Sequence, residues 1–168
     1  QYRNKDLDNK IRKDRTSEEL KNIQRARKYG KKIHETEKKN ETALKQEKIE
    51  GEQLKKVLKE DTDLMTELGL NIARMHSADV IHGDLTTSNV IHSNEDELYI
   101  IDLGLSQVSD RIEDKAVDIH LLKQVLESSH PNIADVAWEK FLDSYEEYEE
   151  SGKVLERLKE VESRGRYK

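Results

Sequence analysis

The chain has 168 residues, of which 33% are apolar and 39% charged, with a formal net charge of −6. It contains no cysteine, which excludes disulfide scaffolds, thiolate metal sites and cysteine nucleophiles. No apolar run approaches the roughly 18 residues that a membrane span needs. One proline and seven glycines argue for a mostly helical chain, and no stretch reads as a signal peptide, so a cytoplasmic or nuclear protein is expected. The charge is uneven, with residues 1–59 summing to +8 and residues 60–168 to −14. The basic half could meet phosphates, although a solvated surface is the simpler account.

In chain order, Leu7, Ile11, Leu20, Ile23 and Ala26 are scattered among charges, and Thr16 precedes Glu19 at capping-box spacing. A helix is therefore predicted over about 17–29, stopped by Gly30. Residues 31–60 are rich in Lys and Glu and almost without core residues, and their pattern alone gives a solvated helix or a flexible linker. Leu54, Val57 and Leu58 begin a short amphipathic helix. Leu64, Leu68, Ile72 and Met75 recur at helical spacing and predict a helix over 62–77 with one buried face. Residues 80–82, 89–92 and 97–101 read as short strands. Ile119, Leu122, Val125 and Leu126 mark a helix ending before His130-Pro131. Trp138, Phe141, Leu142 and Tyr145 mark the next by their core-facing stripe. Val154, Leu155, Leu158 and Val161 mark a last helix, with a polar tail from Ser163. The sum is α+β, with most of the core in the C-terminal two-thirds.

The chemistry concentrates in Val80-Ile81-His82-Gly83-Asp84-Leu85-Thr86-Thr87-Ser88-Asn89, followed by Ile100-Ile101-Asp102-Leu103-Gly104. Phosphoryl transfer needs a carboxylate that orients the attacking hydroxyl and accepts its proton. It also needs an amide oxygen and a second carboxylate to hold magnesium against the phosphates. H-x-D-x-x-x-x-N followed by a strand ending in D-x-G supplies that set. Capping residues in ordinary turns would explain a lone Asp or Asn, but not this combination between hydrophobic strands. His76, His82 and His92 lack a zinc spacing, and His82 is better read as a packed histidine bracing the loop.

The same run closely resembles the small protein kinase subunit of the KEOPS/EKC complex, the PRPK family of atypical kinases. The resemblance continues in Ile101-Asp102-Leu103-Gly104-Leu105-Ser106, in Glu113-Asp114-Lys115-Ala116-Val117-Asp118, in Ser129-His130-Pro131-Asn132 and in the tail Arg164-Gly165-Arg166. Upstream, Tyr2-Arg3, Leu7-Asp8, Ile11-Arg12, Arg15-Thr16, Glu19 and Arg25-Ala26-Arg27 look like the family's early helices. Ile49-Glu50-Gly51 looks like its hinge, and the triple Thr86-Thr87-Ser88 separates this family from ordinary kinases. The resemblance implies a protein-kinase-like fold. Residues 1–51 would form a reduced, apparently incomplete N-lobe, 52–162 a compact helical C-lobe, and 163–168 a basic tail. Residues 31–48 would then be strands.

By the same resemblance Asp84 would be the catalytic base, and Asn89 and Asp102 would hold magnesium and, through it, ATP. Glu19 would be the helix glutamate that pairs with the phosphate-binding lysine. Asp118 would brace the catalytic loop. The implied role is an ATPase and serine/threonine kinase supporting threonylcarbamoyladenosine modification of transfer RNA. Its implied partners are the threonylcarbamoyl-transferase subunit, a small helical subunit, and transfer RNA through the complex and the tail 164–168.

The chain departs from the kinase pattern in four ways. No Gly-rich loop or strand lysine precedes Gln1, and the prolines usual after Tyr29-Gly30 are absent before Lys31-Lys32-Ile33. Gly83 replaces the usual Arg, which argues against switching by loop phosphorylation. No A-P-E follows, and Asp102 and Asp118 are too close for a long activation segment, as in the family. Two other classes remain open. One is a small-molecule phosphotransferase of aminoglycoside or choline kinase type, which shares H-G-D-x-x-x-x-N. The other is a non-catalytic scaffold.

Overall fold

The computed structural model describes residues 5–29, 33, 36–46, 48–59 and 61–165. The readings that rest on Tyr2-Arg3, on the side chains of Leu7 and Asp8, on Gly30-Lys31-Lys32, and on Arg166-Tyr167-Lys168 lie outside the described residues. Helix α1 (Lys5–Tyr29) begins about three turns before the predicted start. Thr16 is not a cap. It lies inside the helix, and its hydroxyl donates to the Arg12 carbonyl one turn back, at 2.9 Å. The added turns show residues 9–15 to solvent, so no apolar stripe marked them. Of the predicted apolar set, Ile23 and Ala26 are buried, and Ile11 is 44% exposed.

Strands β1 (Thr36–Asn40) and β2 (Ala43–Gln46) form an antiparallel hairpin. This corrects the solvated helix or linker that pattern alone gave for 31–60, in favour of the strands that the resemblance implies. The Asn40 side-chain oxygen accepts from the Thr42 N–H at 2.9 Å and from the Thr42 hydroxyl at 3.2 Å, an Asx turn that reverses the chain. Four of the five β1 residues face solvent, so the strand has little apolar alternation to display.

Strand β3 (Gly51–Gln53) leads into α2 (Leu54–Val57) and then α3 (Leu64–Ser77). Strands β4 (Val80–Ile81), β5 (Val90–Ser93), β6 (Leu98–Ile100) and β7 (Gln107–Val108) follow. Helices α4 (Ile112–Ser129), α5 (Ala134–Tyr145) and α6 (Ser151–Gly165) complete the chain. Besides the β1-β2 hairpin, strands β3 to β7 form two antiparallel sheets, ordered β3-β5-β6 and β4-β7. The expected α+β class holds, and helices α3 to α6 fall where their apolar stripes placed them.

The core lies among α3, α4, α5 and α6. Gly69 of α3 lets α5 approach to backbone contact, because a Cβ there would stand 2.0 Å from the Ser144 hydroxyl and 2.4 Å from the Phe141 carbonyl. The rings of Trp138, Phe141 and Tyr145 stack with centroids 5.2 and 5.6 Å apart, which confirms the stripe as a core face. Helix α6 runs through Gly165, so the tail predicted from Ser163 starts as helix. Its Val154 and Leu158 are buried in the core, and the last turn is held to α4 by Arg164 and Glu113 at 3.2 Å. No helix among the described residues is long and apolar enough to cross a membrane.

Candidate active site

The site is built on the loop from β4 to β5. Asp84 and Asn89 open and close its working part, and the structure joins them directly. The Asn89 amide nitrogen donates to the Asp84 carbonyl and to Asp84 Oδ2, both at 2.9 Å. Both amide hydrogens are thereby committed, and Oδ1 of Asn89 is left as the end available to a cation. Gly83 precedes Asp84 with φ of +82°, a conformation costly for other residues. A Cβ there would also lie 2.4 Å from the Leu105 carbonyl. Gly83 in place of an arginine therefore has a local cause, the close crossing of the loop and the segment after Asp102.

Strand register brings Asp102 to Asn89. Val90 pairs with Ile100, and the Ile101 N–H donates to the Asn89 carbonyl at 3.0 Å, so both residues stand at neighbouring strand ends. Asp102 is exposed and adopts φ of +58°, a left-handed conformation that aspartate tolerates better than most residues. Glu19, half-buried on α1, faces the same region. Burial pushes its carboxyl above the usual carboxylate range, and the negative charge of Asp102 pushes it further. Hydrogen bonds thus join Asp84 to Asn89, strand register sets Asp102 near Asn89, and Glu19 lies within electrostatic reach of Asp102.

Behind the loop, Asp118 of α4 is 3% exposed. Its Oδ2 accepts the His82 N–H and its Oδ1 the Gly83 N–H, both at 2.9 Å. Nε2 of His76 donates to Oδ2 at 3.2 Å, and Nδ1 of His76 pairs with the Tyr145 hydroxyl at 2.7 Å. Burial would raise the Asp118 carboxyl, but the His76 hydrogen bond and the His82 N–H outweigh it and hold the group below its ordinary range. His82 braces the loop from within. Its Nε2–H donates to the Ile101 carbonyl at 3.0 Å, and Nδ1 accepts the Asp84 N–H at 3.2 Å. One imidazole therefore links the Asp84 backbone to the segment that leads from β6 into Asp102.

The Thr86-Thr87-Ser88 triplet anchors the loop from below. Thr87 is buried, its hydroxyl paired with His130 Nε2 at 3.2 Å, and its carbonyl accepts the Lys55 N–H at 3.0 Å. The Ser88 carbonyl accepts from the Gln53 side chain at 3.0 Å. Burial keeps the His130 imidazole below the usual histidine range. Sequence reasoning did not assign His76, Thr87 and His130 to the site. The available signal was a histidine at position 76, on the apolar face of a helix set by Leu68, Ile72 and Met75, where an unpaired ring would be costly.

The residues present fit magnesium and a nucleoside triphosphate. Magnesium prefers a few protein oxygens and takes its remaining ligands from water and phosphate. The fixed amide of Asn89 and the exposed carboxylate of Asp102 provide such a pair. The mutual repulsion of Glu19 and Asp102 marks a region where positive charge is favoured.

Comparison with known proteins gives the family. The family described as RIO domain matches residues 1–135. Over 99% of its length the chain is 39% identical to the KEOPS complex subunit Bud32 of Pyrococcus abyssi, and it spans 80% of that protein. It is 40% identical to a probable bifunctional tRNA threonylcarbamoyladenosine biosynthesis protein of Methanobrevibacter smithii. It is 37% identical to the protein of the same description from Methanocaldococcus jannaschii. The chain spans about a third of the length of these two relatives, 31% in each case.

Proposed function

The chain belongs to the RIO domain family of kinase-like proteins, and from that premise we propose that it is the ATP-dependent atypical serine/threonine kinase and ATPase of a KEOPS-type assembly. In that assembly it supports threonylcarbamoyladenosine modification of transfer RNA. The observation that carries the catalytic part is the Asp84–Asn89 pairing beside the strand end that presents Asp102.

In this reading Asp84 Oδ1 accepts the proton of the attacking hydroxyl or water, while Oδ2 is held by Asn89. His82 and Asp118 fix the backbone on either side of Gly83, so the carboxylate is aimed before substrate arrives. Magnesium, when bound, neutralises charge on the transferred phosphoryl group. Asn89 and Asp102 would hold it, and Glu19 would serve the phosphate side of the site. The proposed partners are a threonylcarbamoyl-transferase subunit and a small helical subunit. Transfer RNA would be reached through the complex and through the basic residues from Arg164 onward. The proposed location is the cytoplasm, with the nucleus as a second site where the cell has one.

The phosphotransferase alternative draws less support. Beyond Asp118, helices α4, α5 and α6 pack on one another and into the shared core, and none of the described residues there forms a separate substrate-binding insert. The test is magnesium-dependent ATP hydrolysis by the full-length protein, alone and with its assembly partners. Transfer to serine and to small-molecule alcohols would be assayed in parallel. Hydrolysis with serine phosphorylation supports the proposal. Transfer to an amino-sugar or amino-alcohol hydroxyl would favour the phosphotransferase, and no turnover in any assembly would leave a scaffold.

A further inference from the structure

Helix α1 places Glu19, Asn22, Ile23 and Ala26 on one face, by their spacing of three, four and seven residues. Ile23 and Ala26 enter the core, and Glu19 faces Asp102. Asn22 is also buried, 7% exposed, yet it is polar. Its side-chain nitrogen donates to the Ser106 carbonyl at 2.9 Å and to the Ser106 hydroxyl oxygen at 3.2 Å. Ser106 in turn closes the turn that follows Asp102. Its hydroxyl donates to the Leu103 carbonyl at 2.6 Å and its N–H to the same carbonyl at 3.0 Å.

We infer that Asn22 is a positioning residue for Asp102, and this rests on the magnesium-nucleotide reading of the site. The physical need for it is visible in the charges. Glu19 and Asp102 are like charges that repel across the gap between α1 and the turn. Asn22 and Ser106, one helical turn along, are a neutral donor and acceptor pair that holds the same two elements together. Asp102 has a left-handed backbone, and Asn22 of α1 grips the turn that follows it through Ser106. Asn22 therefore sets where the Asp102 carboxylate stands relative to Asn89, without touching the metal or the phosphates.

The test compares full-length wild type with Asn22→Leu, nearly isosteric and unable to donate, and Asn22→Gln, which keeps the donor on a longer arm. The probe is a non-hydrolysable ATP analogue titrated with and without magnesium. Amide hydrogen exchange at Ser106 and in α3 is followed in the free protein. For Asn22→Leu the magnesium concentration needed for half-maximal nucleotide binding should rise about tenfold, the size expected for losing a hydrogen-bonded link to a charged site. Metal-free nucleotide binding should be unchanged. Ser106 should exchange faster while α3 stays protected, and Asn22→Gln should recover part of the magnesium affinity. Wild-type magnesium dependence in Asn22→Leu would overturn the inference, as would equal losses with and without magnesium or exchange rising alike in α3. A wild-type protein that binds no nucleotide would overturn the kinase reading itself, and the positioning role with it.

Discussion

Asn89 places one amide hydrogen on the Asp84 carbonyl and the other on the Asp84 carboxylate, each at 2.9 Å. The proposed base is thereby held by the residue whose remaining oxygen is the proposed metal ligand. Replacing Asp84 by Asn keeps an oxygen for Asn89 to donate to, so the loop should keep its shape. Without a proton acceptor, turnover should fall by about 10²–10⁴-fold, the usual contribution of a general base. ATP hydrolysis and far-ultraviolet circular dichroism of Asp84→Asn check both halves. Unchanged hydrolysis by the folded variant would remove Asp84 from the mechanism.

The role proposed for Asp102 is to act through a divalent ion. Asp102→Ala should weaken nucleotide binding in the presence of magnesium and leave metal-free binding equal or slightly stronger, since the bare carboxylate repels phosphate. Calorimetric titration with and without magnesium reads the difference. Equal losses in the two conditions would contradict a metal role.

Two groups behind the loop set a pH dependence of stability. The Asp118 carboxyl and the His130 imidazole both lie below their ordinary ranges in the fold. A group depressed on folding contributes stability that is complete above its unfolded value and is lost as pH falls through its folded value. The His130 part should therefore fade as pH drops below about 6.5, and the Asp118 part below about 4. Urea unfolding from pH 8 to pH 3 should show stability falling in two stages. His130→Gln should remove the first stage and Asp118→Asn the second, at a lower overall stability. A profile flat between pH 7 and pH 5 in the wild type would contradict the histidine assignment.

Lys115 is 1% exposed and donates to Asp79 at 2.9 Å and to the Tyr148 hydroxyl at 2.8 Å. Asp79 also pairs with Arg25 of α1 at 3.3 Å, so a single aspartate ties α1 to α4 just ahead of β4. Lys115→Met fills the volume but deletes the charge. It should cost about 2 kcal/mol, less than breaking a fully enclosed pair, because Asp79 keeps Arg25 and some water. Chemical denaturation measures this, and a variant as stable as wild type would show that the network adds nothing net.

The catalytic loop was legible because its residues are fixed by chemistry at fixed intervals. Asp84, Asn89 and Asp102 needed only strand pairing to meet, and Val90 opposite Ile100 provides it. Helices α3 to α6 were legible because each buries an apolar stripe. The start of α1 was not, since residues 9–15 are all exposed and leave no periodic mark. Strand β7 also escaped, because Gln107 and Val108 both face solvent and hold their place by pairing with Val80 and Ile81. Asn22 looked like an ordinary polar residue, and Thr87 stood out as part of the triplet 86–88 but without a partner. Their partners, Ser106 and His130, lie 84 and 43 positions away, and no local pattern encodes a contact at that range.

The stacked aromatic column of α5 has an optical consequence. Trp138 is the single tryptophan of the chain. Its ring lies against Phe141 at 5.2 Å, with the Lys123 ammonium 5.9 Å from the ring centroid. Helix α5 supplies none of Glu19, Asp84, Asn89 or Asp102. Indole emission is therefore a built-in gauge of the helical core that stays dark to nucleotide loading. Loss of packing and loss of ligand can thus be followed as separate signals in one unlabelled sample.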